Sequence, residues 1–330
     1  MARTGTARVS DRGPAGPGAA RLRLGTRGSA LALAQSGAVA RRVEATGVPV
    51  DSVVIRTSGD KLVDVSLAKV GGKGLFLKEI EEALAAGEVD FAVHSMKDVP
   101  AELPAGFAIA AVPEREDVRD VVVAREPLAG DPLESLPRGS RVGTGSLRRR
   151  ALLRSLRPDL VVVPMRGNVD TRLRKLREGE FDAIVLAAAG LRRLSLDVGA
   201  SPLDPVRFLP APGQGALALE VRAGDTATAA RLAPLHDAAA RAACDGERAF
   251  LRALGASCQV PVAAHARPAP GGALRLDGLV ASLDGRTVLR DSVETDAAGA
   301  AEAGARLARI LLERGARAIL DEAEREVGSV

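Results

Sequence analysis

Residues 140–156 read SRVGTGSLRRRALLRSL. A short apolar run ends in Gly143-Thr144-Gly145-Ser146, and from Leu147 the apolar residues recur at helical spacing as far as Leu156. A strand that turns through Gly and Ser straight into a helix is the repeating unit of an α/β sheet. The alternation continues outward in both directions. Upstream, Arg21–Thr26 reads as a strand, Ser29–Thr46 as a helix capped by Ser29, Val50–Arg56 as a strand, Leu75–Ala86 as a helix and Phe91–His94 as a short buried strand. Around the opening stretch, 121–124, Leu160–Pro164 and Ala183–Leu186 read as strands and Val169–Glu178 as a helix. Leu217–Val221, after the Pro- and Gly-rich LPAPGQG, is expected to return to the first sheet. Beyond 236 the pattern becomes a helix at Arg241–Leu254, hairpin strands at Ala263–Ala266, Leu274–Leu283 and Thr287–Asp291, and two helices near 297–314 and 316–326. The expected fold class is therefore α/β: domain 1 (21–115 and 216–235), domain 2 (116–215) and a small α+β domain 3 (236–330). Residues 1–20, rich in Gly, Ala and Pro, are expected to form a disordered extension.

Composition removes several classes of function. The chain has 330 residues, 46% of them apolar, with six Phe and no Tyr or Trp, so its cores must be built from Ala, Val and Leu. No run of about 18 apolar residues is present and the first twenty lack the apolar centre of a signal peptide, which predicts a cytoplasmic protein with no membrane partner. Two cysteines, Cys244 and Cys258, and three histidines give neither a disulfide framework nor a metal site. The net charge of +4 is modest. A nucleic-acid binder would concentrate basic residues on one face, with stacking aromatics. Here single basic residues stand on separate Gly-containing loops, the pattern of a small-polyanion binder.

Seven loops carry the candidate chemistry. In the opening stretch, Thr144 and Ser146 precede a helix start whose N–H groups favour anions, and Arg148 and Arg149 could clamp carboxylates; a plain N-cap with a solvated basic face is an equal alternative. LAKVGGKGLFLKEI (67–80) sets Lys69 and Lys73 about two glycines, or is merely a surface loop. HSMKDVP (94–100) places Ser95, Lys97 and Asp98 past a strand's carboxyl end, where ligands of open α/β sheets gather. Asp98 either meets a positive centre or simply pairs with Lys97, and His94 is read as a satisfied buried histidine. Arg166 and Arg172 in RGNVDTRLRKL, Arg27 in LGTRGS, and Gly190 and Arg193 after IVLA repeat the placement, which argues for one interdomain cleft lined by cations. Cys258 lies in the turn GASCQVP, while Cys244 reads as a small core residue.

Together, TRGSALALAQ, AKVGGKGLF, HSMKDVP, EREDVRD, VGTGSLRRR, RGNVDTRL, LAAAGLRRL, LPAPGQGAL and GASCQVP resemble the porphobilinogen deaminase family in order and spacing, from about residue 22 to 262. The resemblance implies two α/β domains like those of type II periplasmic binding proteins and a third that bears the cofactor loop. It implies a dipyrromethane cofactor on Cys258 through a thioether, porphobilinogen as substrate, a linear tetrapyrrole as product and a monomeric enzyme. Asp98 matches the catalytic acid. Ser95, Lys97, Thr144, Ser146, Arg148, Arg149 and Gly190 match cofactor-binding positions. Arg27, Ser29, Arg149, Arg166, Arg172 and Arg193 match substrate-binding ones, and Lys69 and Lys73 match a mobile loop. One departure is visible: Gly145 stands where family members commonly have Ser, which removes a hydroxyl but keeps the backbone N–H.

Overall fold

The computed structural model describes residues 7–8, 21–56, 77–256 and 260–328. They fall into two compact units, one of 7–8, 21–56, 77–115 and 216–241, the other of 116–215 and 242–328 without 257–259. Each is built around sheet.

In the first unit β2 (Leu22–Arg27) runs parallel to both β3 (Val50–Ile55) and β4 (Phe91–Ser95). β11 (Leu217–Arg222) enters antiparallel between β4 and β5 (Phe107–Ala111). β1 (Ala7–Arg8) pairs with the outer edge of β3, so two residues of the expected extension join the sheet. Helix α1 (Ala30–Glu44) starts where the Ser29 hydroxyl accepts the Ala32 N–H and ends on Arg41 and Arg42, placed against the negative end of the helix dipole. Its Val39 and Val43 pack with Leu24, Phe91 and Leu219 on one face of the sheet. Helix α2 (Lys78–Ala85) covers the other face through Ile80 and Leu84.

The second unit repeats this plan. β7 (Arg141–Thr144) is parallel to β8 (Val161–Pro164) and β9 (Ala183–Ala187), and β6 (Asp120–Ala124) is antiparallel to β9. β10 (Ser201–Pro202) closes the edge. Helix α3 (Leu147–Leu156) covers one face, and α4 (Val169–Arg177) with α5 (Ala188–Arg193) the other. The same unit carries a three-stranded antiparallel sheet of β12 (Val262–Pro268), β13 (Leu274–Ala281) and β14 (Val288–Thr295). Helix α7 (Ala238–Ala253) contributes to the core under this sheet through Ala243 and Phe250, and α8 (Ala300–Glu313) and α9 (Ala316–Gly328) through Leu307 and Leu320. Ala263, Leu279 and Ala281 face the other way, into the core of the five-stranded sheet. That shared core binds the C-terminal sheet to 116–215, since apolar surface buried in common cannot be exposed separately without cost.

Besides β1, four of the described strands and helices escaped the sequence pattern, α5 and β10 among them, and one strand ran past its expected end. Phe107–Ala111 is largely alanine and lacks alternation, and Thr226–Leu232 (α6) is a short Thr-rich helix capped by Asp225. β14 runs on to Thr295, past the expected end at Asp291, because β13 offers partners along its whole length.

Candidate active site

In the first unit the chemistry gathers at the carboxyl ends of β2 and β4. Arg27 is the last residue of β2, and the Ser29 hydroxyl accepts the Ala32 N–H at the start of α1. Ser95 ends β4 and accepts a hydrogen bond from Gln35 Nε2 at 3.0 Å. The chain then tightens into a single 3-10 turn, Met96–Asp98, pinned by the buried Met96 side chain and by a backbone bond from Met96 N–H to Ala216 O. This turn presents Lys97 and Asp98 together. Asp98 is exposed and, among the described residues, has no ion pair. His94, the residue before Ser95 in β4, is buried against Glu220, with Nε2 2.9 Å from Oε2, and so is satisfied within the sheet.

In the second unit the site is built at the end of β7. Thr144 Oγ1 accepts the Ser146 N–H, and Ser146 caps α3 by accepting the Arg149 N–H. This fixes the first turn of α3 so that Arg148 and Arg149 turn inward, and both are buried. Their guanidiniums meet Asp120, the fully buried first residue of β6. Arg148 Nη1 donates to Oδ2 at 2.7 Å; Arg149 donates to Oδ1 through Nε at 3.0 Å and Nη2 at 2.7 Å. Each arginine has a second anchor on a carbonyl, Leu209 O for Arg148 and Val185 O for Arg149. Gln214 Nε2 completes the shell of Asp120 at 3.0 Å. The forked edge of Arg149, expected to clamp a ligand, is thus placed on an internal carboxylate. Sequence reading missed Asp120, which it gave no role ahead of the strand at 121–124.

Charge does not balance there. Burial alone would raise the Asp120 carboxyl pKa, but the two guanidiniums hold it well below the usual carboxylate range. Burial, with Arg149 close by, lowers Arg148 despite Asp120. Arg172 lies near the same place; its Nε donates to Gly167 O at 2.7 Å, and burial plus the charge of Arg149 pull it down to about 10, still charged at neutral pH. Two buried guanidiniums therefore share one carboxylate, and the half-buried Arg172 adds a third cation close to Arg149. Arg148 Nε is buried without a hydrogen-bond partner among the described residues. Such a surplus calls for an anion.

The remaining expected residues divide. Arg166 is exposed on the turn after β8. Gly190 lies inside α5, whose last residue, Arg193, donates to Gly215 O at 2.6 Å and is lowered by burial. Its neighbour Arg192 is occupied by Glu116 and Asp117. Cys258, Lys69 and Lys73 lie outside the described residues; Cys244 is fully buried in α7.

Residues 22–230 match the model of the dipyromethane cofactor binding domain of porphobilinogen deaminase, and 241–313 that of its C-terminal domain. The chain belongs to the porphobilinogen deaminase family. A porphobilinogen deaminase of Syntrophobacter fumaroxidans is 53% identical over 304 residues, covering 91% of this chain and 97% of its own. That of Syntrophus aciditrophicus is 50% identical over 309 residues (92% and 99%), and that of Thiobacillus denitrificans 52% over 303 (91% and 98%). Among solved structures, a probable amino-acid ABC transporter extracellular-binding protein from Bacillus subtilis aligns over 66% of this chain and 90% of its own, at 10% identity and a TM-score of 0.42. As in other porphobilinogen deaminases, the prosthetic group is dipyrromethane and the reaction belongs to tetrapyrrole synthesis. Among the described residues no helix is long and apolar enough to cross a membrane.

Proposed function

We propose that this chain joins four porphobilinogen molecules head to tail, with loss of ammonia, onto a dipyrromethane group held through a thioether at Cys258, and releases hydroxymethylbilane. The surplus of buried guanidinium around Asp120, with the orphaned Arg148 Nε, carries the reading. Every ring of such a chain bears an acetate and a propionate, and a site with three guanidiniums and one carboxylate is short of such anions. When bound, the cofactor supplies the free pyrrole α-carbon at which the new carbon–carbon bond forms.

The protein supplies position and field. Ser95, Lys97, Thr144, Ser146, Arg148, Arg149 and Gly190 hold the cofactor's carboxylates and chain. Arg27, Ser29, Arg149, Arg166, Arg172 and Arg193 hold those of the incoming porphobilinogen, and Lys69 and Lys73 belong to a segment that covers it. Asp98 faces the pyrrole N–H groups. As the methylene–nitrogen bond breaks and ammonia departs with its proton, the substrate ring becomes cationic, and a fixed carboxylate stabilises that charge with no reorganisation. Asp98 is suited to this because no ion pair among the described residues neutralises it. In this reading the enzyme is a cytoplasmic monomer of three domains (21–115 with 216–235, 116–215, 236–330), without nucleic acid or membrane as partner.

Mass spectrometry of the purified protein tests it. The expected spectrum shows two linked pyrroles on Cys258, and Cys258→Ser abolishes both the adduct and ammonia release from porphobilinogen, whereas Cys244→Ser keeps both. Full turnover by the Cys258→Ser protein would overturn the assignment.

A further inference from the structure

Asp120 opens β6, and its main chain is fixed on both sides: it sits in register with Ala187 of β9, and its carbonyl accepts the Leu203 N–H. Its carboxylate is wholly enclosed and accepts four hydrogen bonds, one from Arg148, two from Arg149 and one from Gln214, all at 2.7–3.0 Å. A long, flexible side chain such as arginine has many rotamers, and only a rigid partner selects one. Here a single oxygen pair, mounted on a central strand, selects both guanidiniums at once. Arg172, which has no carboxylate partner among the described residues, is the next cation along.

We propose that Asp120 is a positioning residue for this anion site, fixing Arg148 and Arg149 so that carboxylate recognition depends on a group that touches no ligand itself. The proposal rests on the reading of the chain as a tetrapyrrole-forming deaminase. Two effects of Asp120 pull in opposite directions, which makes the proposal testable. As a counter-charge it weakens the site's field, so its neutralisation should tighten anion binding. As an anchor it keeps the guanidiniums in place, so the same change should loosen binding.

The discriminating variant is Asp120→Asn in the holoenzyme, which keeps the shape but removes the charge and turns one oxygen into a donor that faces a guanidinium. KM and kcat for porphobilinogen, occupancy of the cofactor by mass spectrometry, and thermal melting are measured together. The expected result is a KM raised about tenfold or more, since a misplacement of about 1 Å at a ligand clamp costs on the order of 10²-fold, with kcat of the loaded fraction within about threefold and a larger share of chains lacking the adduct. A lowered melting temperature with unchanged KM and occupancy overturns the proposal in favour of a structural role. A KM that falls overturns it in favour of a mere counter-charge. Should Asp120→Asn fail to fold, Gln214→Leu decides: it removes one donor from Asp120 and should raise KM by about threefold, and an unchanged KM there overturns the proposal. Absence of ammonia release by the parent enzyme would instead refute the functional reading itself.

Discussion

Gly145→Ser would place the hydroxyl that the family resemblance leads one to expect at this position, and in this chain it should do harm. A Cβ at 145 would lie 2.5 Å from the Met165 carbonyl oxygen, whereas ordinary contact starts at 3.4 Å, so about 3.4 − 2.5 = 0.9 Å must be given up by backbone rather than by a side-chain end. Met165 cannot retreat freely, because its N–H donates to Thr144 O at 3.2 Å and its side chain is buried beside Phe181 and Leu173. Two residues on, Gly167 O is the acceptor of Arg172 Nε, and the Arg172 Nη2 is itself 4.0 Å from the added carbon. A push at Met165 therefore reaches Arg172. Overpacking of this kind costs about 1–3 kcal/mol, which for a unit of this size lowers the melting temperature by roughly 2–4 °C per kcal/mol. Displacement of the Arg172 clamp should also raise KM for porphobilinogen by about tenfold or more while kcat changes little. Gly145→Ala isolates the Cβ from the hydroxyl and should behave alike. Differential scanning fluorimetry and steady-state kinetics on the holoenzyme read both quantities. If both variants melt within about 1 °C of the parent with unchanged KM, the turn yields without cost and the reasoning fails.

Other outcomes follow from the same geometry. Asp98→Asn should leave folding and loading intact and slow single-turnover ammonia release by about 10²–10³, with partial activity in Asp98→Glu; release within a fewfold of the parent would remove Asp98 from the chemistry. Arg172→Leu should yield chains with poor cofactor loading or stalled intermediates, visible by mass spectrometry, and a normally loaded, normally active variant would contradict the shared anion site. Acid should unfold the protein in a defined direction. Burial would raise the Asp90 carboxyl, but its three bonds from Arg23 hold it low, and Asp120 is held low likewise. A carboxylate with a depressed folded pKa contributes stability that is present above its unfolded value near ~4 and lost as pH falls below it. Urea unfolding should thus be level from about pH 7 to 5 and weaken towards pH 3, the loss being smaller in Arg23→Gln; a flat profile to pH 3 would count against both pairs.

The alternation of strands and helices was readable because β4, β6 and β9 are short, mostly apolar runs, each buried on both faces. Phe107–Ala111 was not, since its strand character comes from β11, more than a hundred residues later, and not from its own alanines. The basic loops were equally readable as positions but not as partners. From the sequence, Arg148 and Arg149 are two cations at a helix start, and nothing in RDVVVA tells that Asp120 is the buried carboxylate they share. An acid directly ahead of a run that must be buried is the available signal, because a carboxylate in that place needs a cationic partner.

The place of β11 also bears on how the protein is made. The first sheet is finished only when Leu217–Arg222 slides between β4 and β5. On a ribosome the earlier strands therefore emerge with their inner edges open while about another hundred residues, including the whole five-stranded sheet, are being synthesised. During that interval two strand edges offer unpaired N–H and C=O groups to any other chain nearby. Closure depends on a contact of long sequence separation, which is slow to form. The nascent chain is thus most open to aggregation and to chaperones while residues between 111 and 217 are leaving the tunnel, and a fragment ending before 217 would keep that gap permanently.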